Sequence, residues 1–248
     1  MNIVISQPMY FPWVGLLEQF RVADTFVFYD DVQFVKGSLF NRVQVKTNVG
    51  IRWLTVPLRN RQLDQNICEV QLDDQQDWRS RHCALLKQSY AEAPYKDEML
   101  ALAETVFSKD FSCLAELASS SMIALAEYFG IYADKKIIRS SELNVVGASS
   151  RRVLDICERL GANVYLTGHG AANYLDHQLF EHAGIEVCYM NYEKKPYPQL
   201  HGEFTPYVSA LDLVANCGRG GVEMIGSGLI TWRDFLKQQD TMKKTPIN

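Results

Sequence analysis

The stretch NIVISQPMYFPWVGLLEQFRVADTFVFYD, residues 2–30, decides the fold. NIVIS and DTFVFYD are short apolar runs of strand type, and WVGLLEQFRVA between them carries Trp13, Leu16, Leu17 and Phe20 at helical spacing. Strand, loop, helix and strand in that order form a βαβ unit, whose two strands lie parallel. The loop of this unit, SQPMYFPWVG (6–15), is unusually stiff. A phosphate-binding junction carries glycines there; this one carries Pro8, Pro12, three aromatic side chains and Gln7.

Further along, RVQVKT and IRWLTVPL alternate as strands around NVG, and ICEVQL adds another, which predicts a β-rich insertion over about 41–73. From about 76 to 130 the period turns helical in WRSRHCALLKQSY, DEMLALAETVF and SCLAELASSSMIALAEYFG, with Gly130 as a C-cap. KKIIRS, SSRRVLDICERLG, ANVYLTG, ANYLDHQLFEHAG and IEVCYMNY then alternate strand and helix, the form of a parallel sheet, and Gly161 and Gly184 mark helix ends. YVSALDLVANCG reads as a helix closed by Gly218, and TWRDFL as a short last one with a threonine cap. The expected fold is α/β: a mostly parallel sheet with flanking helices, a β-hairpin insertion and a helical segment in the middle. It is read as one domain over 1–238, and the tail 239–248 has lost its apolar period and is expected to fray.

With 248 residues and 47% hydrophobic content the chain can bury a substantial core. Its net charge of −4 provides no field for polyanions, so binding to genomic nucleic acid is not expected. No membrane span is expected, because no apolar run approaches about eighteen residues. The chain starts on a strand-like run with no basic segment and apolar signal core, which reads as cytoplasmic. The six cysteines show no CxxC spacing and read as free thiols. No metal-ligand set, GxSxG elbow or HExxH motif occurs.

Ligands of open parallel sheets bind beyond the carboxyl ends of the strands, so the strand-end loops are where chemistry is expected. In the first, Gln7, Tyr10 and Trp13 read either as an aromatic pocket wall or as core cover. In the second, Asp30 and Asp31 could act as bases or hold a ribose hydroxyl, metal or amine, Gln33 offers an amide, and Lys36, Arg42 and Lys46 could meet phosphate; the alternative is a solvated, ion-paired loop. The third, LTGHGAANYLD, flanks His169 with Gly168 and Gly170 before a helix, where backbone amides favour an anion and His169 could serve as acid or base. GASSRR opens a helix on Ser149 or Ser150 with Arg151 and Arg152 in its first turn, against the positive end of the helix dipole, which calls for an anionic ligand or a nearby carboxylate.

The set QPMYFPWVG, ADTFVFYDDVQFVKGSLFNRVQVKT, WLTVPL, LTGHGAANYLD and YPQLHGEFTPYVSALDLVANCG together resembles the WbqC-like family, over roughly residues 2–218. The matching positions are Gln7, Pro8, Tyr10, Pro12, Trp13, Gly15, Asp30, Asp31, Gln33, Asn41 and Arg42. They continue with Gly168, Gly170, Tyr174, Leu175, Tyr197, Gln199, Ser209, Asp212, Asn216 and Gly218. The chain departs from the family pattern before YPQ, where Lys194 and Lys195 stand and a histidine is common. The resemblance implies a role in bacterial surface-polysaccharide (O-antigen) biosynthesis, namely acyl or aminoacyl (for example glycyl) transfer to the amine of a nucleotide-linked sugar. An activated donor or ATP would be the co-reactant, and a homodimer stays open. A non-catalytic sugar-nucleotide-binding protein and an ATP-dependent carboxylate-activating ligase are the rival readings. A second similarity, of FPWVGLLEQFRVADTFVFYDDV to the opening of HIGH-type nucleotidyltransferases, implies a Rossmann-related sheet but lacks that motif's histidines.

Overall fold

β1 (Asn2–Ser6), α1 (Val14–Val22) and β2 (Thr25–Phe28) form the expected βαβ unit, with β1 and β2 parallel from Ile3 opposite Thr25 to Ser6 opposite Phe28. A computed structural model describes residues 1–62 and 64–244. The insertion is a hairpin of β3 (Arg42–Thr47) and β4 (Gly50–Thr55) followed by the short pair β5 (Leu58–Arg59) and β6 (Gln71–Leu72). Only Gln71–Leu72 of ICEVQL is strand, because Ile67–Glu69 close a 3-10 turn with a reciprocal Asn66–Glu69 capping box. The helical segment consists of α2 (Trp78–Ser89), α3 (Lys96–Phe107) and α4 (Leu114–Tyr128).

β7 (Lys136–Arg139), α5 (Ser149–Leu160), β8 (Val164–Thr167), α6 (His177–His182) and β9 (Glu186–Met190) complete the parallel part, and α7 (Ala210–Cys217) follows. Gly161 ends α5 in the left-handed conformation, as its sequence position predicts. β10 (Leu229–Thr231), an edge strand too short to show a period, runs antiparallel on β9. α8 (Trp232–Lys244) follows it and carries helix into the segment expected to fray from residue 239, while 245–248 lie outside the described residues. Thr231 Oγ1 accepts the Asp234 amide at 3.3 Å, the predicted threonine cap. Among the described residues no helix is long and apolar enough to cross a membrane, and the six cysteines are unpaired.

The six-stranded sheet has the order β10-β9-β8-β1-β2-β7 and is parallel except at β10. Its inner strands β1, β2, β8 and β9 are buried on both faces, and alternate side chains enter two cores. Val4, Phe26, Phe28 and Leu166 pack under α1, α4 and α7, while Ile3, Ile5, Val27, Tyr165 and Val187 pack under α5 and α6.

The aromatic loop after β1 is pinned from three helices. Phe11 has φ +39, a left-handed value that bulky residues rarely adopt. Its amide donates to Ser121 Oγ on α4 at 2.8 Å, and its carbonyl accepts from Ser209 Oγ, the α7 N-cap, at 2.8 Å. The Tyr10 hydroxyl shares a 2.9 Å hydrogen bond with His82 Nδ1 on α2. Ser209 Oγ also accepts the Leu211 amide, so Ser209→Ala removes a helix cap and the partner of a buried carbonyl together. It is expected to lower unfolding stability by about 2 kcal/mol in urea titrations.

Candidate functional site

All five parallel strands end on one side, and a cleft of about 1250 Å³ opens there. The chain runs from β1 outward to β2 and β7, then returns to β8 and β9 on the other flank, so the strand order reverses between β1 and β8. That reversal splays the following loops apart and makes a crevice. Ser6 and Gln7 at the end of β1, Tyr29, Asp31 and Gln33 after β2, Gly147–Ser149 and Arg152 after β7, Thr167–Ala171 and Tyr174 at the end of β8, and Met190–Tyr192 at the end of β9 line it. Its volume is ample for a ligand the size of a sugar nucleotide.

The two adjacent carboxylates take different environments while sharing the Ser140 hydroxyl. Asp30 is 1% exposed and is consumed in holding the corner after β7: its side chain accepts the Ser141 amide at 3.0 Å and the Ser141 hydroxyl at 2.9 Å, and Ser140 Oγ lies 3.1 Å away. Asp31 faces the cleft, but Arg152 bonds both its carboxylate and its carbonyl, and Ser140 also donates to it. Burial works against the Arg152 charge, and the hydrogen bond to Asp31 together with the charge interactions of Asp31 and Tyr29 outweighs it, so the guanidinium pKa is raised. Arg151 pairs with Asp155 and Glu158. Nearby carboxylates thus answer both first-turn arginines.

His169 sits in the cleft on a 3-10 turn (His169–Asn173), its ring against Phe235 of α8 and Nε2 2.6 Å from the Met190 carbonyl. A carbonyl only accepts, so Nε2 carries the proton and the neutral ring keeps its lone pair on Nδ1. The expected serine cap of α5 is corrected: Ala148 is the N-cap, without a side-chain bond, and Ser150 Oγ instead accepts the Asp176 amide. Gly147 at φ +109 and Ser149 at φ +53 turn the chain into α5 at the cleft edge, a strained backbone of the kind found at ligand sites. The N-cap of α1, Trp13, is likewise free of a side-chain cap bond, so two helix N-termini of positive polarity border the cleft.

The aromatic loop divides between core and cleft. Tyr10 is fully buried against Phe11, Trp78 and His82 and is not part of the wall, because the clamp on Phe11 turns it inward. Trp13 lines the cleft, 4.6 Å from Tyr192 and 5.8 Å from Tyr207 by ring centroids. Gly15 is what lets it lie there: a Cβ at residue 15 would come within 2.3 Å of the indole and 2.8 Å of Tyr192.

Of the other expected site residues, Gln7, Gln33, Gly168, Gly170 and Tyr174 line the cleft, Gln33 bonding Asp64 at 2.7 Å. Lys36, Asn41 and Arg42 do not. Lys36 is exposed, Asn41 donates to the Val56 carbonyl at 2.8 Å, and Arg42 bonds the Gly37 carbonyl and stacks 4.4 Å over Trp53, so these serve the hairpin. Lys46, Tyr197, Gln199, Asp212 and Asn216 gather outside the cleft, in a polar network beneath α7. Lys46 Nζ reaches Gln199 Oε1 at 3.2 Å and the Glu203 carbonyl at 2.7 Å, the Tyr90 hydroxyl donates to Asp212 at 3.0 Å, and Asn216 Nδ2 donates to the Asp212 carbonyl. Burial pushes the Asp212 carboxyl up to about 6.

Beyond the expected site residues, Gln19, Tyr192, Tyr207 and the α8 residues Phe235, Gln238 and Gln239 also line the cleft. Gln19 faces the cleft from inside an ordinary amphipathic period, and the α8 residues belong to a helix whose apolar stripe weakens because part of it borders a cavity. A signal did exist for Tyr192 and Tyr207, aromatic residues flanking the YPQ element.

A model of the WbqC-like protein family matches residues 7–224. Uncharacterized protein Rv1507c of Mycobacterium tuberculosis is 31% identical over 220 residues, covering 88% of this chain and 94% of that protein. No solved structure matches the chain.

Two buried groups give the stability a readable pH dependence. Burial lowers His82 to about 4, so it contributes stability above its unfolded pKa near 6.5 that is lost as pH falls toward 4. Asp212 runs the other way, contributing stability below an unfolded pKa near 4 that is lost as pH rises through about 6. Each swing is about 3 kcal/mol. Relative to the wild-type chain, Asp212→Asn should therefore steepen the rise of stability with pH between 4 and 6, and His82→Gln should flatten or reverse it, in urea unfolding measured at stepped pH.

Proposed function

The chain belongs to the WbqC-like protein family, and from that premise we propose that its cleft binds a nucleotide-linked amino sugar and transfers an acyl or aminoacyl group to the sugar amine. The observation that carries the reading is the contact of His169 Nε2 with the Met190 carbonyl: it assigns the proton to Nε2 and leaves Nδ1, on a residue that lines the cleft, without a side-chain hydrogen bond among the described residues. The uncapped N-termini of α1 and α5 supply the polarity that suits a diphosphate. Trp13, Tyr192 and Tyr207 offer apolar faces for a base or sugar ring.

In the transfer, the amine lone pair attacks the carbonyl carbon of the activated donor and a C–N bond forms. The nitrogen becomes positive and releases its proton to His169 Nδ1. The tetrahedral intermediate collapses, the bond to the leaving group breaks, and the imidazolium returns the proton to that group. Asp31 orients Arg152, and Asp30 holds the corner after β7, so neither is assigned the base.

A second reading has its own support: both loop carboxylates are already engaged, which fits a protein that binds a sugar nucleotide and hands it on without turnover. The test is incubation with a dTDP-4-amino sugar and, in parallel, acyl-CoA, aminoacyl-tRNA, or glycine with ATP, read by mass spectrometry. Acylated sugar is expected with one donor, and His169→Ala should slow its formation about 10²-fold or more with a smaller change in KM. Calorimetric binding of the sugar nucleotide with no product from any donor selects the binding protein and sinks the transferase.

A further inference from the structure

Gln19 is a polar residue for which neither the fold nor the acyl transfer has a use. It lies on the sheet-facing side of α1, where its neighbours Leu16, Leu17 and Phe20 are core, and it is only 6% exposed. Buried side-chain amides in native structures are almost always hydrogen-bonded. Gln19 Oε1 has no partner among the described residues.

The amide is not simply lost in the core, because Gln19 lines the cleft. Its Nε2 packs against the α-carbon face of Gly168, where an added Cβ would stand 3.4 Å away. The residue thus reaches from the helix after β1 to the loop after β8, which is the point where the strand order reverses. Gln7, at the end of β1, brings a second amide to the same cleft.

A carboxamide is neutral and offers one acceptor beside one donor. It has no charge to meet a phosphate, and among the ionic groups of the cleft Asp31 and Arg152 satisfy one another while Lys194 lies against Tyr207. Its complement is a ligand edge with an N–H next to a C=O, paired as Asn and Gln pair with base edges.

We propose that Gln19 is a specificity-determining residue that reads an amide-type edge on the bound ligand. This deepens the sugar-nucleotide reading of the cleft and rests on it. Two parts of such a ligand carry the edge: the imide of a pyrimidine base and the N-acyl group of a sugar.

The experiment compares the full chain with its Gln19→Leu variant by thermal melting without ligand and by NMR titration with uridine, N-acetylglucosamine and pyrophosphate separately. Leucine has similar bulk and no unmet hydrogen bond, so the ligand-free variant is expected to melt at a higher temperature. Its affinity for whichever neutral probe the wild type binds is expected to fall at least tenfold, with pyrophosphate affinity within twofold of wild type. The neutral probe that responds identifies the source of the edge.

A lower melting temperature in Gln19→Leu would give the amide a structural partner and overturn the proposal. So would unchanged affinity for the neutral probe. Pyrophosphate binding with neither neutral probe bound by the wild type removes the Gln19 role and leaves the anion-binding end of the cleft standing. Neutral-probe binding that depends on Gln19, with no acyl transfer from any donor, keeps the Gln19 role and removes the transferase.

Discussion

The peptide unit of Phe11 is the constraint from which the site follows. At φ +39 a phenylalanine is held against its own steric preference, and what holds it is one serine on each side, Ser121 on the amide and Ser209 on the carbonyl. Because the chain reverses its twist there, Tyr10 on one side of Phe11 turns into the core and Trp13, two residues beyond, emerges at the cleft. The same clamp sets where α1 begins, since the Pro12 carbonyl accepts the Ala210 amide at 2.7 Å and fixes the loop to the start of α7. A glycine-rich loop could follow a similar path, but only these side-chain anchors tie the central strand to α2, α4 and α7 at once.

The polar residues divide into two groups with different physics. Beneath α7, Lys46, Asp212, Tyr90 and Tyr197 are buried and Gln199 half-buried, and their arrangement joins the hairpin to the segment before α7. Breaking such a network leaves an uncompensated buried charge, so it registers the hairpin against the rest of the fold. At the strand ends the residues are hydrated on one side, and the ion pair of Asp31 with Arg152 joins the loop after β2 to α5 across the edge of the cleft. It holds those two loops in register, and because both side chains are largely buried, removing one partner would leave the other charge uncompensated.

Periodicity made most of the fold legible. The βαβ unit, the hairpin around NVG, the three middle helices and the alternating C-terminal elements are read from apolar spacing, because each is long enough to show a period and each buries one stripe. β10 has only three residues, too few to show a period, and α8 places Gln238 and Gln239 against the cleft, so only its first turns, with Trp232, Phe235 and Leu236, read as an apolar stripe. The site was legible at the level of loops and less so at the level of residues. Gly168, His169, Trp13 and Gln7 are found where strand-end loops predict. Asp30 and Tyr10 share those loops and point inward, since adjacent residues on an extended or turning backbone face opposite ways. Asp212 and Gln199 match the family pattern and yet meet Lys46 outside the cleft, so a shared motif there marks packing. No spacing rule reveals Gln19, because what singles it out is the lack of a partner in three dimensions.

The distribution of committed and uncommitted groups in the cleft follows from the same geometry. Charged side chains at the ends of parallel strands stand within reach of the next loop, and in a partly dehydrated crevice an unpaired charge is costly, so Asp31 and Arg152 find each other. Neutral groups face a smaller penalty and can be left waiting, as the Gln19 amide and the His169 Nδ1 are. Helix N-termini carry their polarity in the backbone and need no side chain to be held ready, which is why α1 and α5 can border the cleft without caps. A crevice built in this way favours a ligand that brings its own negative charge to the helix ends and neutral hydrogen-bonding edges to the rest.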